Sequence, residues 1–302
     1  MEAKPNTVIK AIHNVKLQLL QFGYNIYVRL YKYFPDNMVN SLNYYHVFRR
    51  FPNINNPKRY TEKIQWYKLY GKLERYCALV DKYEVRDFVA LTVGKKYLIP
   101  IIGVWDDFDE IDFCRLPKQF VIKMTHGSGY NIICTDKAQI NLETIRNKLS
   151  NWKKENYYEI GRERQYNNCR PKIMIENYLE DQSGELIDYK IFCFNGNPAY
   201  IQVDLGRTTN HTRAFYDIHW NRLPFTTYYP LASRNVIRPD NLDELLTLAE
   251  KLSKDLLHVR VDLYNPDGKA FFGELTFAHG NGFEPFYPDE WDMIVGNQFE
   301  IP

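Results

Sequence analysis

Cysteine and histidine are both sparse in this sequence, and neither is spaced as in a metal site. The five cysteines form no Cys-x-x-Cys pair, and no two of the seven histidines lie four positions apart. These absences argue against the common zinc-binding patterns. Because the cysteines are dispersed and odd in number, we expect reduced, mostly structural thiols in a cytoplasmic protein.

The sequence also lacks a long apolar run and a strong excess of either charge. No stretch approaches the roughly 20 apolar residues that span a bilayer, and the polar residues 1–6 do not resemble a secretory signal. The 39 basic and 37 acidic residues leave a net charge of +2, too small to indicate nucleic-acid binding. We therefore expect no transmembrane helix and no nucleic-acid partner.

The chain is rich in aromatic residues and long enough to form a large core. Its 302 residues are 45% hydrophobic and 16% aromatic, which suits two or three subdomains. Helix-like and strand-like stretches follow one another without an internal repeat. This order predicts the α+β class, with antiparallel sheets and peripheral helices.

Hydrophobic periodicity locates the expected elements. Helical spacing predicts helices over residues 7–34, from 61, and over 81–94, 141–155 and 242–257. Apolar runs predict strands over residues 98–105, 172–179, 186–194 and 199–205. Composition predicts irregular segments at 51–60 and 157–171. For the basic helix 7–34 we prefer packing on its own domain to lying on an anionic membrane surface.

Residues 259–277 predict a β-hairpin that carries paired carboxylates. Two runs rich in β-branched and aromatic residues flank a turn signal at 265–268. Alternation along the strands places Arg260 and Asp262 on one face, with Glu274 nearly opposite Asp262. Two neighbouring carboxylates repel, and a Mg²⁺ ion with its oxygen ligands would relieve the repulsion. The alternative is a solvated hairpin face with scattered charges.

A second hairpin is predicted around a glycine-containing loop. Residues 120–123 are predicted to form a strand that ends at Lys123. Residues 124–131 form a loop that contains Gly-Ser-Gly, and a second strand follows it. Glycine lets the backbone approach a ligand closely, so that successive N–H groups can cradle phosphate oxygens. The loop matches neither a Walker A nor a Gly-x-Gly-x-x-Gly pattern. An ordinary surface turn is the alternative.

The segment 106–110 contains Asp107-x-Asp109. Many nucleotide-sugar glycosyltransferases use such a pair to hold Mn²⁺. Chance matches to so short a motif are common, and we prefer a solvated loop. A nucleotide-sugar glycosyltransferase nevertheless stays open as an alternative function.

Taken in order, seven segments of the chain resemble the ATP-grasp superfamily, and more closely its TupA-like branch, named for teichuronopeptide biosynthesis. They are residues 61–66, 81–86, 120–129, 175–179, 188–196, 260–264 and 273–277. The resemblance implies an α+β ATP-grasp fold, in which two antiparallel sheet subdomains clasp ATP behind an N-terminal helical extension. The implied divisions are the extension 1–60, a helical and strand subdomain 61–116, a small lid subdomain 117–185 and a C-terminal subdomain 186–302 with the ATP, Mg²⁺ and substrate site.

The resemblance also implies ATP and Mg²⁺ as cofactors and assigns residues to them. The nucleotide would contact the lysines, lid, hinge and ribose-side residues Lys82, Lys123, His126, Gly127, Ser128, Gly129, Glu176, Asn177, Tyr178, Leu179, Asp188 and Lys190. The metal would be held by Asp262, Glu274 and Thr276, the last replacing an asparagine found in many members. Arg260, Lys190 and the Gly280 backbone would act in catalysis, and Arg207, Arg213 and His279 would contact substrate.

The implied activity is a carboxylate–amine ligase that forms an amide through an acylphosphate. From the family likeness, the carboxylate belongs to a uronic acid or glycan of a capsular or cell-wall polysaccharide precursor. A peripheral association with membrane-bound polysaccharide machinery would accompany that role. An ATP-dependent sugar kinase and a non-catalytic module stay open beside the glycosyltransferase.

Overall fold

The computed structural model describes residues 30–182, 184, 186–206 and 210–302. Its helices are α1 (Asp36–Phe48), α2 (Tyr60–Tyr70), α3 (Cys77–Val80), α4 (Val85–Thr92), α5 (Leu142–Lys154), α6 (Tyr157–Gly161), α7 (Leu242–Ser253) and α8 (Glu290–Gln298). Its strands are β1 (Ile101–Trp105), β2 (Phe120–Met124), β3 (Asn131–Cys134), β4 (Ile173–Asn177), β5 (Asp188–Phe194), β6 (Asn197–Leu205), β7 (Thr212–Asp217), β8 (Arg222–Leu223), β9 (Thr226–Thr227), β10 (His258–Tyr264), β11 (Phe271–Thr276) and β12 (Phe286–Tyr287).

A six-stranded antiparallel sheet in the order β11-β10-β5-β6-β7-β8 forms the larger subdomain. Alternate residues of its central strands, such as Ile191, Val203 and Val261, are fully buried. The amphipathic helix α7 supplies the matching leucines, including Leu245 and Leu252, to the same hydrophobic cluster. Each such side chain contributes about 1.5–3 kcal/mol through burial. The predicted helix and strands here are confirmed.

The opposite face of this sheet is divided into an aromatic half and a polar half. In the aromatic half, the ring of His258 stacks on Phe194 and meets Tyr60 of α2 edge-on. The Tyr60 hydroxyl lies 3.0 Å from His258 Nε2, which fixes α2 against the sheet. The polar half is left for the charged residues of the candidate site.

A four-stranded antiparallel sheet in the order β1-β4-β2-β3 forms the smaller subdomain. Phe120, Ile122 and Ile175 pack there against Ile145 and Leu149 of α5. Helix α5 begins at Asn141, whose side chain accepts a hydrogen bond of 2.9 Å from the Thr144 N–H. The predicted hairpin of β2 and β3 is confirmed, and β1, from the segment 61–116, joins this sheet.

Two expectations differ from the structure, and a third lies mostly outside the described residues. The predicted loop 157–171 contains α6 and a 3₁₀ turn at Arg164–Tyr166, because its aromatic residues pack inward instead of following a helical stripe. Helices α1 and α8 were not predicted, since polar side chains are among their buried residues. Most of the predicted helix 7–34 lies outside the described residues. In the part of the chain that is described, no helix is long and apolar enough to cross a bilayer.

Candidate active site

The β10–β11 hairpin brings the predicted charged residues together. Asp262 pairs with Glu274 and Arg260 pairs with Thr276 across the two strands, as the alternation predicted. Arg260 Nε and Nη2 donate to the two oxygens of Asp262 at 2.6 and 2.7 Å, so this is a two-pronged pair. Nη2 also lies 3.1 Å from Thr276 Oγ1 and 3.5 Å from Glu274 Oε1. One guanidinium therefore organises the predicted metal-binding side chains.

Lys190 extends the same charged surface onto the neighbouring strand β5. Its Nζ lies 2.5 Å from Asp188 Oδ2 and 2.6 Å from Asp262 Oδ2. Burial would lower the pKa of Lys190, but the carboxylates of Asp188 and Asp262 outweigh it and raise that pKa above its ordinary value. Lys190 is therefore a permanent cation between two carboxylates at the centre of the sheet.

The pKa of Asp262 is also set by burial and by neighbouring charges, but its net shift is downwards. Burial would raise the pKa of Asp262, but Arg260 and Lys190 outweigh burial and hold it below the ordinary value. Glu274 is more accessible, since its side chain is 35% exposed. The surface therefore combines one charge-compensated carboxylate with one that a ligand can reach.

Two lysines approach this surface from the smaller subdomain. Lys123 on β2 forms an ion pair with Glu176 on β4, and both side chains are largely buried. Lys82 donates its Nζ proton to the carbonyl of Gly127 in the glycine loop. Burial lowers the pKa of Lys82, and the charge of Glu274 opposes that effect from the other sheet. Lys82, Lys123, Glu176 and Glu274 thus belong to one group of interacting charges.

The glycine loop is fixed by aromatic packing. A Cβ on Gly127 would lie 2.6 Å from the Tyr130 ring and 2.9 Å from the Tyr157 ring, so only glycine fits there. Gly129 is exposed with a φ of 78°, a conformation that glycine adopts readily. Ser128 is half-buried and hydrogen-bonds Tyr157. His126 instead points its Nε2 at the Trp152 carbonyl of α5, 2.9 Å away, and thereby anchors the loop.

The predicted hinge follows strand β4. Glu176 is buried, whereas Asn177 is exposed, and Tyr178 and Leu179 are half-buried. The Asn177 N–H donates to the Pro100 carbonyl at 3.0 Å. The hinge backbone therefore begins in the last residues of an interior strand of the smaller sheet and leads into the connection to β5.

A 3₁₀ turn at His279–Gly282 continues the site beyond β11. Arg260 Nη1 contacts His279 Nδ1. Because arginine only donates, Nδ1 accepts and the ring proton lies on Nε2, which is 3.1 Å from Glu284 Oε2. Gly280 has a φ of 52°, and a Cβ there would lie 2.4 Å from Glu284 Cγ. The positive φ and the short distance from a Cβ to Glu284 both favour glycine at position 280.

Arg213, predicted as a substrate contact, is bound by the protein itself. Its guanidinium lies 2.7 Å from Asp204 Oδ1, 2.6 Å from Glu284 Oε2 and 2.7 Å from Thr227 Oγ1. Burial would raise the pKa of Asp204, but Arg213 outweighs it and lowers that pKa to about 2. His279 is similarly enclosed, while Arg207 lies outside the described residues. Arg213 and His279 are thus placed to position Arg260 and the turn.

The donor set suits Mg²⁺ only in company with a phosphate. Asp262, Glu274 and Thr276 supply oxygen atoms on one face, as Mg²⁺ prefers. Among the described residues, however, no three His, Cys, Asp or Glu side chains are grouped to hold a metal. Mg²⁺ typically completes such a site with water and substrate phosphate. The residues therefore fit a metal that arrives with a nucleotide.

The Asp107-x-Asp109 pair lies elsewhere, in a 3₁₀ turn at Phe108–Glu110 beside α5. Asp107 is 3.2 Å from Lys153 Nζ, and Asp109 pairs with Arg146. Both carboxylates are more than half exposed. Each carboxylate therefore forms a local ion pair on the surface, away from the charged sheet face.

Sequence reasoning missed several residues of this region. The most informative ones are the buried Asp204, Glu163, Lys68 and Gln202, together with Glu284. Asp204 and Gln202 alternate along β6 within an apolar run, and that alternation is a signal that could have found them. Glu163 and Lys68 had no such signal, because they lie in an irregular segment and in a helix of mixed polarity.

Comparisons with known proteins agree with this architecture. The TupA-like ATPgrasp family model matches residues 62–300. No curated protein matches the chain. D-alanine–D-alanine ligase from Bacillus anthracis is a similar solved structure, with 17% identity over 76% of this chain and 72% of that chain and a TM-score of 0.43. The structure of this ligase in complex with ATP is 16% identical over 66% of the present chain, with a TM-score of 0.39. The present chain spans about half, 54%, of the length of that ligase chain.

A third similar structure is the ATP-grasp ligase PsnB, complexed with a minimal precursor, Mg and ADP. It has 9% identity over 72% of this chain and 57% of that chain, with a TM-score of 0.37.

The family match covers about four-fifths of the chain. It confirms the predicted family and the α+β ATP-grasp fold, and the prediction of an ATP-dependent ligase rests on the same match. The match begins at residue 62, so residues 1–60 lie outside it. The chain belongs to the TupA-like ATP-grasp family.

Proposed function

We propose that this protein is an ATP-dependent carboxylate–amine ligase that forms an amide through an acylphosphate. The observation that carries the proposal is a single group of interacting charges contributed by both sheets. Arg260, Lys190 and two carboxylates lie on one sheet, and Lys82 and Lys123 approach from the other. Such an arrangement of fixed charges suits the transfer of a phosphoryl group, where positioning and electrostatic stabilisation dominate.

In this function, Lys82 and Lys123 neutralise the phosphates of ATP while the hinge meets the adenine. Asp262, Glu274 and Thr276 are the residues that would hold Mg²⁺. The bound metal supplies charge neutralisation of the transferring phosphoryl group. The glycine loop, anchored through Tyr130 and Tyr157, covers the phosphates and keeps water from the acylphosphate.

The acyl group is proposed to lie between Arg260 and the turn at Gly280. The guanidinium is held by Asp262 and backed by His279, so it is pre-positioned to donate to the acyl oxygen. The Gly280 N–H is the second donor. Phosphorylation of a carboxylate needs no general base, because the attacking oxygen is already anionic. It needs no general acid either, because ADP leaves as a weakly basic phosphate anion.

The proposed carboxylate substrate is a uronic acid or glycan of a capsular or cell-wall polysaccharide precursor, and the second substrate is an amine. Support comes from the family, which is named for teichuronopeptide biosynthesis. We further propose that the protein works in the cytoplasm, in peripheral association with the membrane-bound machinery that handles such precursors.

One experiment separates this ligase from its rivals. The protein is incubated with Mg-ATP, a panel of uronic acids and hydroxylamine, which converts acylphosphates into hydroxamates. We expect ADP, phosphate and a carboxylate-dependent hydroxamate, with no product when UDP-sugar replaces ATP. A phosphorylated sugar hydroxyl as the stable product would identify a kinase. Release of AMP and pyrophosphate, or consumption of UDP-sugar, would overturn the acylphosphate mechanism.

A further inference from the structure

Glu163 is a buried carboxylate with no part in the function proposed above. It lies between α6 and the 3₁₀ turn Arg164–Tyr166 and is only 5% exposed. The Gln165 side chain donates a hydrogen bond of 2.8 Å to Glu163 Oε2. A buried carboxylate costs free energy unless charge or hydrogen bonds compensate it, so its retention in this place needs a reason.

The segment that carries Glu163 bridges the lid and the acyl-site turn. At one end, the Tyr157 ring meets Tyr130 edge-on at 5.8 Å and abuts Gly127. At the other end, Gly161 approaches Asn281 so closely that a Cβ would lie 1.9 Å from Asn281 Oδ1. Glu163 follows two residues later in the chain, directly after the contact with the turn that carries Gly280.

Lys68 is the buried cation that acts on Glu163 most strongly. It is 1% exposed, and its Nζ lies 3.2 Å from Gln65 Oε1 and 3.3 Å from the Asn281 carbonyl. Lys68 thus connects α2 to the same turn.

Other charged or titratable groups also face Glu163. They are Glu274 on β11, Arg260 on β10, Tyr157 on α6 and Tyr166 in the 3₁₀ turn. Burial raises the pKa of Glu163 to about 7, with Lys68 opposing, and burial lowers the pKa of Lys68 to about 7. A carboxyl group with a pKa near neutrality can both take up and release a proton at physiological pH.

We propose that Glu163 accepts the proton that the amine substrate loses before it attacks the acylphosphate. This inference rests on the ligase function proposed above and adds the base that the second half-reaction needs. It also defines the amine as one that is protonated at neutral pH, such as an aliphatic amine or the amino group of an amino acid.

The protons and bonds of the step balance. The ammonium gives one proton to Glu163, and the freed lone pair of the nitrogen forms the C–N bond. The C–O bond to phosphate then breaks, and a second nitrogen proton leaves with the phosphate as hydrogen phosphate. Glu163 returns its proton to solvent, so one proton is released in each turnover.

The test compares two nucleophiles in the Glu163→Gln variant. Hydroxylamine is largely unprotonated at neutral pH and needs no base, whereas an aliphatic amine does. We expect the variant to form hydroxamate within about twofold of the wild-type rate, while amide formation falls by about 100-fold or more. The amide that replaces the carboxylate can still accept the Gln165 hydrogen bond. Glu159→Gln, an exposed change on α6, is the matched control and should alter neither rate.

Other outcomes separate this inference from the function on which it rests. Equal losses with both nucleophiles, or no loss with either, would show that Glu163 is not the base. A wild-type protein that gives no carboxylate-dependent hydroxamate would overturn the ligase function and the inference with it. Glu163→Asp, which keeps a carboxylate, should retain more amide synthesis than Glu163→Gln. In the wild type at saturating amine, amide synthesis should fall as the pH drops below about 7. It should fall more steeply than hydroxamate formation measured at a constant concentration of unprotonated hydroxylamine.

Discussion

Arg260 gains its proposed role from the number of groups that its guanidinium contacts at once. It donates to both oxygens of Asp262 at 2.6 and 2.7 Å, reaches Thr276 Oγ1 at 3.1 Å and contacts His279. A lysine carries the same charge, but as a point charge it cannot reproduce a planar two-pronged arrangement. The geometry of the donor should therefore matter more than the charge.

We accordingly expect Arg260→Lys to lower the rate of hydroxamate formation by about 100-fold or more, in the range seen when a fixed oxyanion donor is removed. The fold should persist, since Asp262 keeps Lys190 as an ionic partner at 2.6 Å. The measurement is the hydroxylamine assay together with the midpoint of thermal unfolding. Arg238→Lys changes an exposed arginine in the same way and should leave both quantities unchanged. A rate within twofold of wild type for Arg260→Lys would remove Arg260 from the mechanism.

At the scale of elements, the contact between α6 and the turn His279–Gly282 decides the shape of the acyl site. Gly161 is the last residue of α6 and lies directly against the Asn281 side chain. Gln65 and Lys68 of α2 hold the same turn through the Asn281 carbonyl at 2.8 and 3.3 Å. The turn is therefore clamped from two sides, and a displacement on one side should move the Gly280 N–H.

Gly161→Ala tests this clamp. Its Cβ would lie 1.9 Å from Asn281 Oδ1, so the Asn281 side chain must be displaced. We expect this displacement to disturb the turn and to lower kcat/KM by about 10- to 100-fold. Adding Asn281→Gly removes the clashing side chain at a residue whose φ of 56° glycine adopts without strain. The double variant should recover most of the loss. Steady-state kinetics of the two single variants and the double variant form a complete cycle, and additive losses would contradict the clamp.

At the scale of the whole molecule, His258 of β10 connects the larger sheet to helix α2 through its contact with Tyr60. Cys193 presents a carbonyl 3.0 Å from Nδ1, so the ring proton lies on Nδ1 and Nε2 accepts from the Tyr60 hydroxyl. Burial lowers the pKa of His258 to about 3, with the Cys193 hydrogen bond opposing. In the unfolded chain a histidine has a pKa of about 6.5. Between these values the unfolded state binds the extra proton, so acid should destabilise the fold.

We expect His258 to remove about 3 kcal/mol from the free energy of unfolding as the pH falls from 7 to 4. His258→Gln keeps a donor and an acceptor but binds no proton, so its stability should depend less steeply on pH in this window. Urea unfolding at pH 7 and pH 4 measures the difference. His219→Gln, at an exposed histidine, should leave the wild-type pH dependence intact. Parallel pH profiles for His258→Gln and wild type would show that another group controls the acid transition.

The sequence by itself determined the parts of this protein that depend on local periodicity. Alternation with a period of two placed Arg260, Asp262 and Glu274 on one face, because a strand imposes that period whatever surrounds it. The leucine stripe of α7 and the turn residues of the two hairpins are local in the same sense. The ordered segments were sufficient to indicate the ATP-grasp family.

The tertiary structure alone decided which charges meet. Arg213 and Glu284 are 71 positions apart, Lys190 and Asp262 are 72 apart, and Glu163 reaches the site through an irregular segment. These pairings follow from strand order and from the burial of polar groups, which must find partners wherever the chain brings them. Arg213 and His279 therefore became internal supports, and Glu163, which had no pattern around it, interacts electrostatically with Lys68, Glu274 and Arg260.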